Sequence, residues 1–411
     1  STGDGRREPL NARPKIAQLT AGLNAYLACT MALMRRERDG VGELIDLSIH
    51  ESSMENIETH LAEQLALNKT AKRNKDMPPM VPWRTYACRD GEAAIIGGPI
   101  RNWRKAAPLF GQPKFMEPEF ASMGERMQRR EAFETMMRPW LSTQTRRQVM
   151  EAGQAAGLAW SYVASIKEAL ADPQHAARGY FVEFEQHELG RCKLPGAPFR
   201  GPDLHWTNQP APVVPQPPQS AIAGWRDTNS YAAPKPSPGA PLAGICVLDF
   251  THDWAGPHAA RVLADYGADV IKIEYPKRLD GMRGGYKDRL DEHPRFWQLQ
   301  RNKNSITLDL ESTQHRMVLE ELLTSADLVL ENSRPGVMDR KGLGWDELRE
   351  LNPAISLVSM SAFGATGPYS QYAGYGGTIE AISGLQSLTG YDSTGPGMRV
   401  REMDVINGIF G

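Results

Sequence analysis

Two textures of apolar and polar residues divide this chain. From about residue 245 to 250 the side chains are almost continuously apolar, as in a strand buried on both faces of a sheet. Beyond it, short apolar runs alternate with stretches of helical period. Helices are predicted over 257–266, 314–323 and 345–351, and strands over 269–273, 305–308, 328–330 and 355–359. Repeated strand–helix units predict an α/β fold with a parallel sheet covered by helices. Such sheets bind ligands at the carboxyl ends of their strands.

The first two hundred residues read differently. A helix is predicted over 15–37, a short strand over 43–48, and a second helix running to about 67. Strands over 83–88 and 92–97 form a predicted hairpin turned at Arg89-Asp90-Gly91, where Asp-Gly suits the positive φ of a tight turn. Helical patterns follow over 101–110, 126–157 and 165–170, and strands over 180–185 and 192–194, so a small α+β module follows the two long helices. Residues 209–240 are rich in proline, including Pro210, Pro212, Pro215, Pro217 and Pro218, and read as an extended linker. The predicted division is a helical segment 1–70, a small α+β domain 71–208, the linker 209–240 and a parallel α/β domain 241–411.

At 411 residues the chain exceeds the size of a typical single core. With 41% hydrophobic and 23% charged residues it has an ordinary globular balance, and a net charge of −2 argues against a nucleic-acid surface. The longest apolar run, near 23–34, ends in Arg35-Arg36-Glu37-Arg38 and reads as a buried helix rather than a membrane span. Cys29, Cys88, Cys192 and Cys246 form no CxxC pair, which speaks against zinc and a disulfide framework and for a reducing cytoplasm. The start at Ser1 and the end at Gly411, inside a predicted helix, suggest a piece of a longer polypeptide.

Candidate chemistry lies mostly in the strand-end loops. Thr251-His252-Asp253-Trp254-Ala255-Gly256-Pro257 is a strand-to-helix turn whose backbone N–H groups suit an anion, or a tight turn with no ligand. Arg301-Asn302-Lys303, together with Arg334 and Arg340 after Glu331-Asn332, offers cations for a phosphorylated ligand; the alternative is a set of solvated charges. Gly364, Gly367 and Gly374-Tyr375-Gly376-Gly377 form a glycine-rich loop, either an active-site cover or a plain connection. Asp404 is either a reactive acid or a helix N-cap. The histidines show no metal-ligand spacing.

Taken in order, VLDFTHDWAGP, LADYGADVIKIE, RNKNSITLDL, LVLENSRPGVMDRKGLGWDEL, LNPAISLVSMSAFGATGPY and the Asp404 region resemble the class III CoA-transferases, the CaiB/BaiF family with its formyl-CoA and carnitine-CoA transferases. The resemblance implies a Rossmann-like CoA-binding domain with a smaller α+β domain. It assigns coenzyme A contacts to His252, Ala255, Lys303, Asn332, Arg334 and Arg340, and makes Asp404 the nucleophile. The N-terminal segments GELIDLSIHES, WRTYACRDG, ALADPQHAARGYF and LGRCKLPGAPFR resemble the part of the family that follows its aspartate. The chain would thus run from one copy's aspartate to that of a second, in a tandem fusion where Gln18 falls opposite Asp404.

On that resemblance the substrates are an acyl-CoA and a small carboxylic acid, with no permanently bound cofactor and no metal. Neither nucleic acid nor membrane is a partner. Family members form interlocked homodimers, which a tandem chain could reproduce as an intramolecular pseudo-dimer. Backbone N–H groups of the glycine-rich loop are the expected oxyanion donors. Trp254 stands where oxalate-related members have glutamine, and Met77-Pro78-Pro79-Met80 stands for their glycine loop, so their substrate does not transfer. Two rival readings are a bifunctional transferase–lyase or racemase-type isomerase, against whose racemization Tyr375 counts, and a non-catalytic CoA-binding subunit.

Overall fold

A computed structural model describes residues 8–9, 15–70, 81–97, 100–120, 122–207, 239–283, 290–391 and 395–396. Helix α1 (Ile16–Asp39) ends at Gly40 in the left-handed conformation. The strand predicted over 43–48 does not form: among the described residues it has no ladder partner, and Ser48 instead caps the next helix by accepting from the Glu51 N–H. The second long helix is broken into α2 (Ile49–Met54) and α3 (Glu58–Leu67), joined by a single 3₁₀ turn.

The hairpin forms as its turn chemistry requires. Strand β1 (Trp83–Cys88) pairs antiparallel with β2 (Gly91–Ile96), and Cys88 lies opposite Gly91, whose φ is 144°. After α4 (Ile100–Ala106), the helix predicted over 126–157 is three: α5 (Met123–Gln128), α6 (Arg130–Thr143) and α7 (Arg146–Ala155). Capping boxes start two of them: Ser122 with Glu125 opens α5 ahead of the predicted start, and Thr145 with Gln148 opens α7, where side chains that satisfy the first N–H groups begin a new helix. The two-residue β3 (Ser161–Tyr162) joins β2. Next come α8 (Ile166–Leu170), the short α9 (Pro173–Ala177) and the hairpin of β4 (Phe181–Gln186) with β5 (Gly190–Pro195). Nearly all of the predicted linker lies outside the described residues.

The C-terminal half carries the expected α/β architecture. Strands β6 (Cys246–Asp249), β7 (Asp269–Glu274), β8 (Asn304–Thr307), β9 (Leu328–Glu331) and β10 (Ser356–Ser359) form one parallel sheet in the order β10-β9-β6-β7-β8. Helices α10 (Ala255–Asp265), α11 (Pro294–Gln300), α12 (Thr313–Ser325), α13 (Trp345–Leu351) and α14 (Gly376–Ile382) accompany the sheet. The last of these begins inside the glycine-rich stretch, whose composition reads as loop.

Leu248, Ile273, Leu319, Leu323, Val329 and Leu348 bury one cluster on the sheet, and Val247, Ala260, Ala264, Val270 and Leu330 bury another. Met31 and Leu27 of α1 enter the second cluster, so a helix from before the linker covers the sheet after it. The helix is less buried than its sequence predicts: Leu19, Tyr26, Leu33 and Met34 are exposed. By length and composition alone it also meets the requirement for a membrane span, which the reading of its sequence denied. Further ties across the halves come from α3, where Glu58 lies 3.3 Å from His258 Nδ1 and 3.4 Å from Arg261 Nη2, and Glu63 lies 2.6 Å from Arg295.

The small module has its own aromatic core. Trp103, Phe110, Phe115, Phe133 and Trp160 are all buried, with ring centroids 5.0 Å apart for Trp103–Phe133 and 4.9 Å for Phe115–Phe133. Each such side chain contributes roughly 1.5–3 kcal/mol by leaving water. Helix α14 returns from the sheet to this module: Ser161 Oγ donates to the Thr378 carbonyl at 2.8 Å, and the Ala164 N–H donates to the Ala381 carbonyl at 3.0 Å.

Candidate active site

The chain winds from β6 outward to β7 and β8, then returns to the other side of β6 for β9 and β10. The loops after β6 and β9 therefore part at a switch point, where an open parallel sheet leaves a crevice for a ligand. One residue from each loop joins them. Asn332 Oδ1 accepts from the His252 N–H at 2.8 Å, and Asn332 Nδ2 donates to the His252 carbonyl at 2.7 Å. This double bond pattern satisfies two backbone groups that the turn would otherwise leave unpaired.

Beneath the β6 loop lies a buried charge network. Asp249 is fully buried; its Oδ1 accepts from the Thr251 N–H at 2.9 Å, and its Oδ2 lies 2.9 Å from Lys303 Nζ. Burial opposes ionisation there, but Lys272 and Lys303 hold the carboxyl below its usual range. Lys272 donates to the Thr251 carbonyl and stands 3.5 Å from Asp280. Gly256 lets the loop close on α10, because a Cβ there would meet Thr251 Cβ at 2.4 Å.

Two titratable groups of the loop are shifted in opposite senses. Burial, aided by Lys272, lowers His252 to about 4, so its imidazole is neutral near pH 7. Burial, reinforced by Asp280, raises Asp253 to about 6. Asp253 has a φ of 68°, and a Cβ on Gly281 would come within 2.1 Å of its Oδ1.

The residues assigned to coenzyme A do not all present themselves alike. His252, Ala255 and Asn332 are partly exposed at the switch point, and Ala255 opens α10, where first-turn N–H groups lack helical partners. Lys303 is turned inward: its Nζ reaches Asp249, the Pro257 carbonyl at 2.8 Å and Gln300 Oε1 at 2.9 Å, and its side chain is fully enclosed. Its ammonium holds the start of α10 and is closed off from solvent. Arg334 and Arg340 are exposed after β9, and among the described residues neither meets a carboxylate within ion-pair distance. Arg301, beside Lys303, is tied to Asp265 at 2.7 Å.

The sequence reading missed part of the rim. Tyr275 and Arg278 follow β7, and Lys341 lies over the Tyr275 ring at 4.9 Å. Applying the strand-end rule to β7, as to β6 and β9, would have found them. Of the glycine-loop amides expected as oxyanion donors, those of Gly364, Tyr369, Ser370, Tyr372, Ala373 and Tyr375 are engaged within the protein. Asp404 and residues 77–80 lie outside the described residues. Gln18 is exposed in the first turn of α1.

The fold is thus an α/β domain whose parallel sheet has a switch point braced by Asn332 and flanked by the exposed Arg334 and Arg340. The chain matches the model of CoA-transferase family III over residues 1–218 and 242–411, and it belongs to that family. It is 41% identical over 160 residues to the succinyl-CoA–D-citramalate CoA-transferase of Chloroflexus aurantiacus, covering 39% of this chain and 40% of that protein. Over 408 residues it is 28% identical to a Mycobacterium tuberculosis protein named Probable CoA-transferase Rv1866, covering 93% of this chain and 48% of that one. A CaiB/BaiF family structure from Brucella suis is 32% identical, covers 42% of this chain and 47% of that chain, and superposes with a TM-score of 0.39. The chain thus spans about half the length of the curated relatives it matches, or less.

Proposed function

We propose that the intact protein moves coenzyme A from an acyl-CoA donor to a free carboxylic acid. The observation that carries this reading is the reciprocal His252–Asn332 pair, which braces the switch point beside the exposed Arg334 and Arg340. Such cations favour the phosphates of coenzyme A through charge-assisted bonds. Ala255 N–H adds a donor at the start of α10. Lys303 acts indirectly, by fixing that helix start from below.

The chemistry is assigned to Asp404. Its carboxylate attacks the thioester carbonyl, the C–S bond breaks, and a mixed anhydride forms as the CoA thiolate leaves. The thiolate attacks the aspartyl carbonyl of the anhydride and releases the donor acid, leaving an aspartyl-CoA thioester. The acceptor carboxylate then attacks that thioester, giving an acceptor–aspartyl anhydride. Return of the thiolate to the acceptor carbonyl yields the new acyl-CoA and frees Asp404. Holding the carboxylate close and partly desolvated compensates for its weak nucleophilicity.

Exposed Tyr26, Leu44 and Leu65 on the N-terminal segment support burial of that surface in an interlocked homodimer or an intramolecular pseudo-dimer. The free state of Cys29, Cys88, Cys192 and Cys246 supports a reducing compartment, and we place the reaction in the cytoplasm.

The test uses the full-length protein incubated with acyl-CoA donors, followed by hydroxylamine or borohydride treatment and mass spectrometry of the Asp404 peptide. A donor-dependent modification at Asp404, lost together with turnover in Asp404→Ala, is the expected result. Turnover retained in that variant contradicts the mechanism. Coenzyme binding without any exchange favours a binding subunit instead.

A further inference from the structure

Between β10 and α14 the chain runs through 361–375 without regular structure, and two glutamines of the small module hold it there. Gln174, in α9 and only 4% exposed, donates from Nε2 to the carbonyls of Phe363 at 2.6 Å and Thr366 at 2.8 Å. Its Oε1 accepts from the Tyr369 N–H at 2.8 Å. One primary amide thus uses both its donors and its acceptor on three backbone groups of the same loop. Gln154, in α7, repeats the device further along: Nε2 donates to the Ala373 carbonyl at 2.8 Å, and Oε1 accepts from the Ala373 N–H at 2.8 Å.

The loop's glycines permit this approach. Gly367 has a φ of 95°, and a Cβ there would lie 2.5 Å from Gln174 Oε1; at Gly364, with a φ of 81°, it would lie 2.3 Å from Arg178 Nη1. The pinned loop in turn meets the β9 loop. Gln371 Nε2 donates to the Pro335 carbonyl at 3.4 Å, and Arg334 Nη1 donates to the Gln371 carbonyl at 3.4 Å. A continuous set of hydrogen bonds and one short loop therefore connects the small module to a cation at the rim of the switch point.

We infer that Gln174 is a positioning residue for coenzyme recognition, acting through the 361–375 loop and Gln371 on Arg334. The small module then contributes to the coenzyme site through the loop that Gln174 holds. This rests on the transferase reading for the identity of the ligand, and adds to it a residue that strand-end rules do not reach.

The test compares full-length wild type, Gln174→Glu and Gln371→Ala by hydrogen exchange of the 361–375 peptides, coenzyme A titration and thermal unfolding. Glutamate keeps the acceptor for Tyr369 but turns an anion toward two carbonyls. Loop exchange in Gln174→Glu should accelerate at least about fivefold, with coenzyme A Kd rising by about fivefold to tenfold. Gln371→Ala, altering an exposed side chain, should raise Kd about threefold with little change in Tm. A lower Tm for Gln174→Glu with unchanged Kd overturns the inference, as does unchanged loop exchange. If Gln174→Glu fails to fold, Gln371→Ala decides: an unchanged Kd overturns the coupling. Wild type that binds no coenzyme A defeats the transferase reading and the coupling with it, while exchange in Gln174→Glu still reports whether the glutamine holds the loop.

Discussion

Asn332 and His252 stand 80 residues apart in sequence, yet the side-chain amide of one pairs with both backbone polar groups of the other. The two loops of the switch point therefore move together. Asn332→Asp keeps the acceptor but sets a carboxylate against the His252 carbonyl, and Asn332→Ala loses both bonds. Coenzyme A affinity should fall about tenfold in each, given roughly 1–3 kcal/mol for a polar group left unpaired. Calorimetric titration checks this, and wild-type affinity in Asn332→Ala contradicts it.

The buried ion pair of Lys303 with Asp249 gives a stability prediction. Lys303→Met leaves Asp249 buried with one cation fewer and removes the tie to the Pro257 carbonyl. The expected loss is about 3–5 kcal/mol, read from urea unfolding. The double variant Lys303→Met with Asp249→Leu should regain part of that loss, because no uncompensated carboxylate remains. A double variant no more stable than Lys303→Met would show that the pair is not the source of the loss.

The opposite shifts of Asp253 and His252 predict an unusual pH response. Asp253, raised from 3.8 to about 6, contributes stability that is complete below pH 3.8 and is lost as pH rises through 6. His252, lowered from 6.5 to about 4, contributes stability that is present above pH 6.5 and is lost as pH falls through 4. Each shift corresponds to about 3 kcal/mol, so in wild type the two nearly cancel across this window. Relative to wild type, Asp253→Asn should gain stability as pH rises from 4 to 6.5, and His252→Gln should lose it. Denaturant midpoints measured at half-unit pH steps decide, and parallel profiles for all three proteins would refute the assignment.

Gly256 is a packing prediction. A Cβ there would stand 2.4 Å from Thr251 Cβ, a contact that only movement of the β6 loop or of α10 relieves. Gly256→Ala should cost about 1–3 kcal/mol by overpacking. It should also weaken coenzyme A binding, since Thr251 and His252 share the displaced turn. An unaltered Tm would show that the loop accommodates the methyl group.

What the sequence by itself determined is local. The near-continuous apolar run at 245–250 specifies a strand buried on both faces, and β6, β7, β9 and β10 stand where the local pattern places them, to within a residue or two. Asp-Gly specifies the β1–β2 turn for the same reason: its conformational preference needs no distant partner. Local rules also explain one break that was missed, since Thr145 is a readable cap once it is weighed against a long helical period. The motif order was enough to point to the CoA-transferase III family, to which the chain belongs.

Tertiary structure decided the rest, because burial and pairing depend on what the chain brings alongside. The segment 43–48 has strand-like residues but, among the described residues, no neighbouring edge to complete its ladder, so it stays a loop. Lys303 reads as a free cation until the fold places Asp249 and the Pro257 carbonyl around its ammonium. The glycine-rich loop reads as a source of open amides until Gln174 and Gln154, some 200 residues earlier, take up those of Tyr369 and Ala373. Periodicity and turn chemistry act over a few residues. The direction of a charged side chain, and the partner of a backbone amide, are settled by contacts between segments that only folding unites.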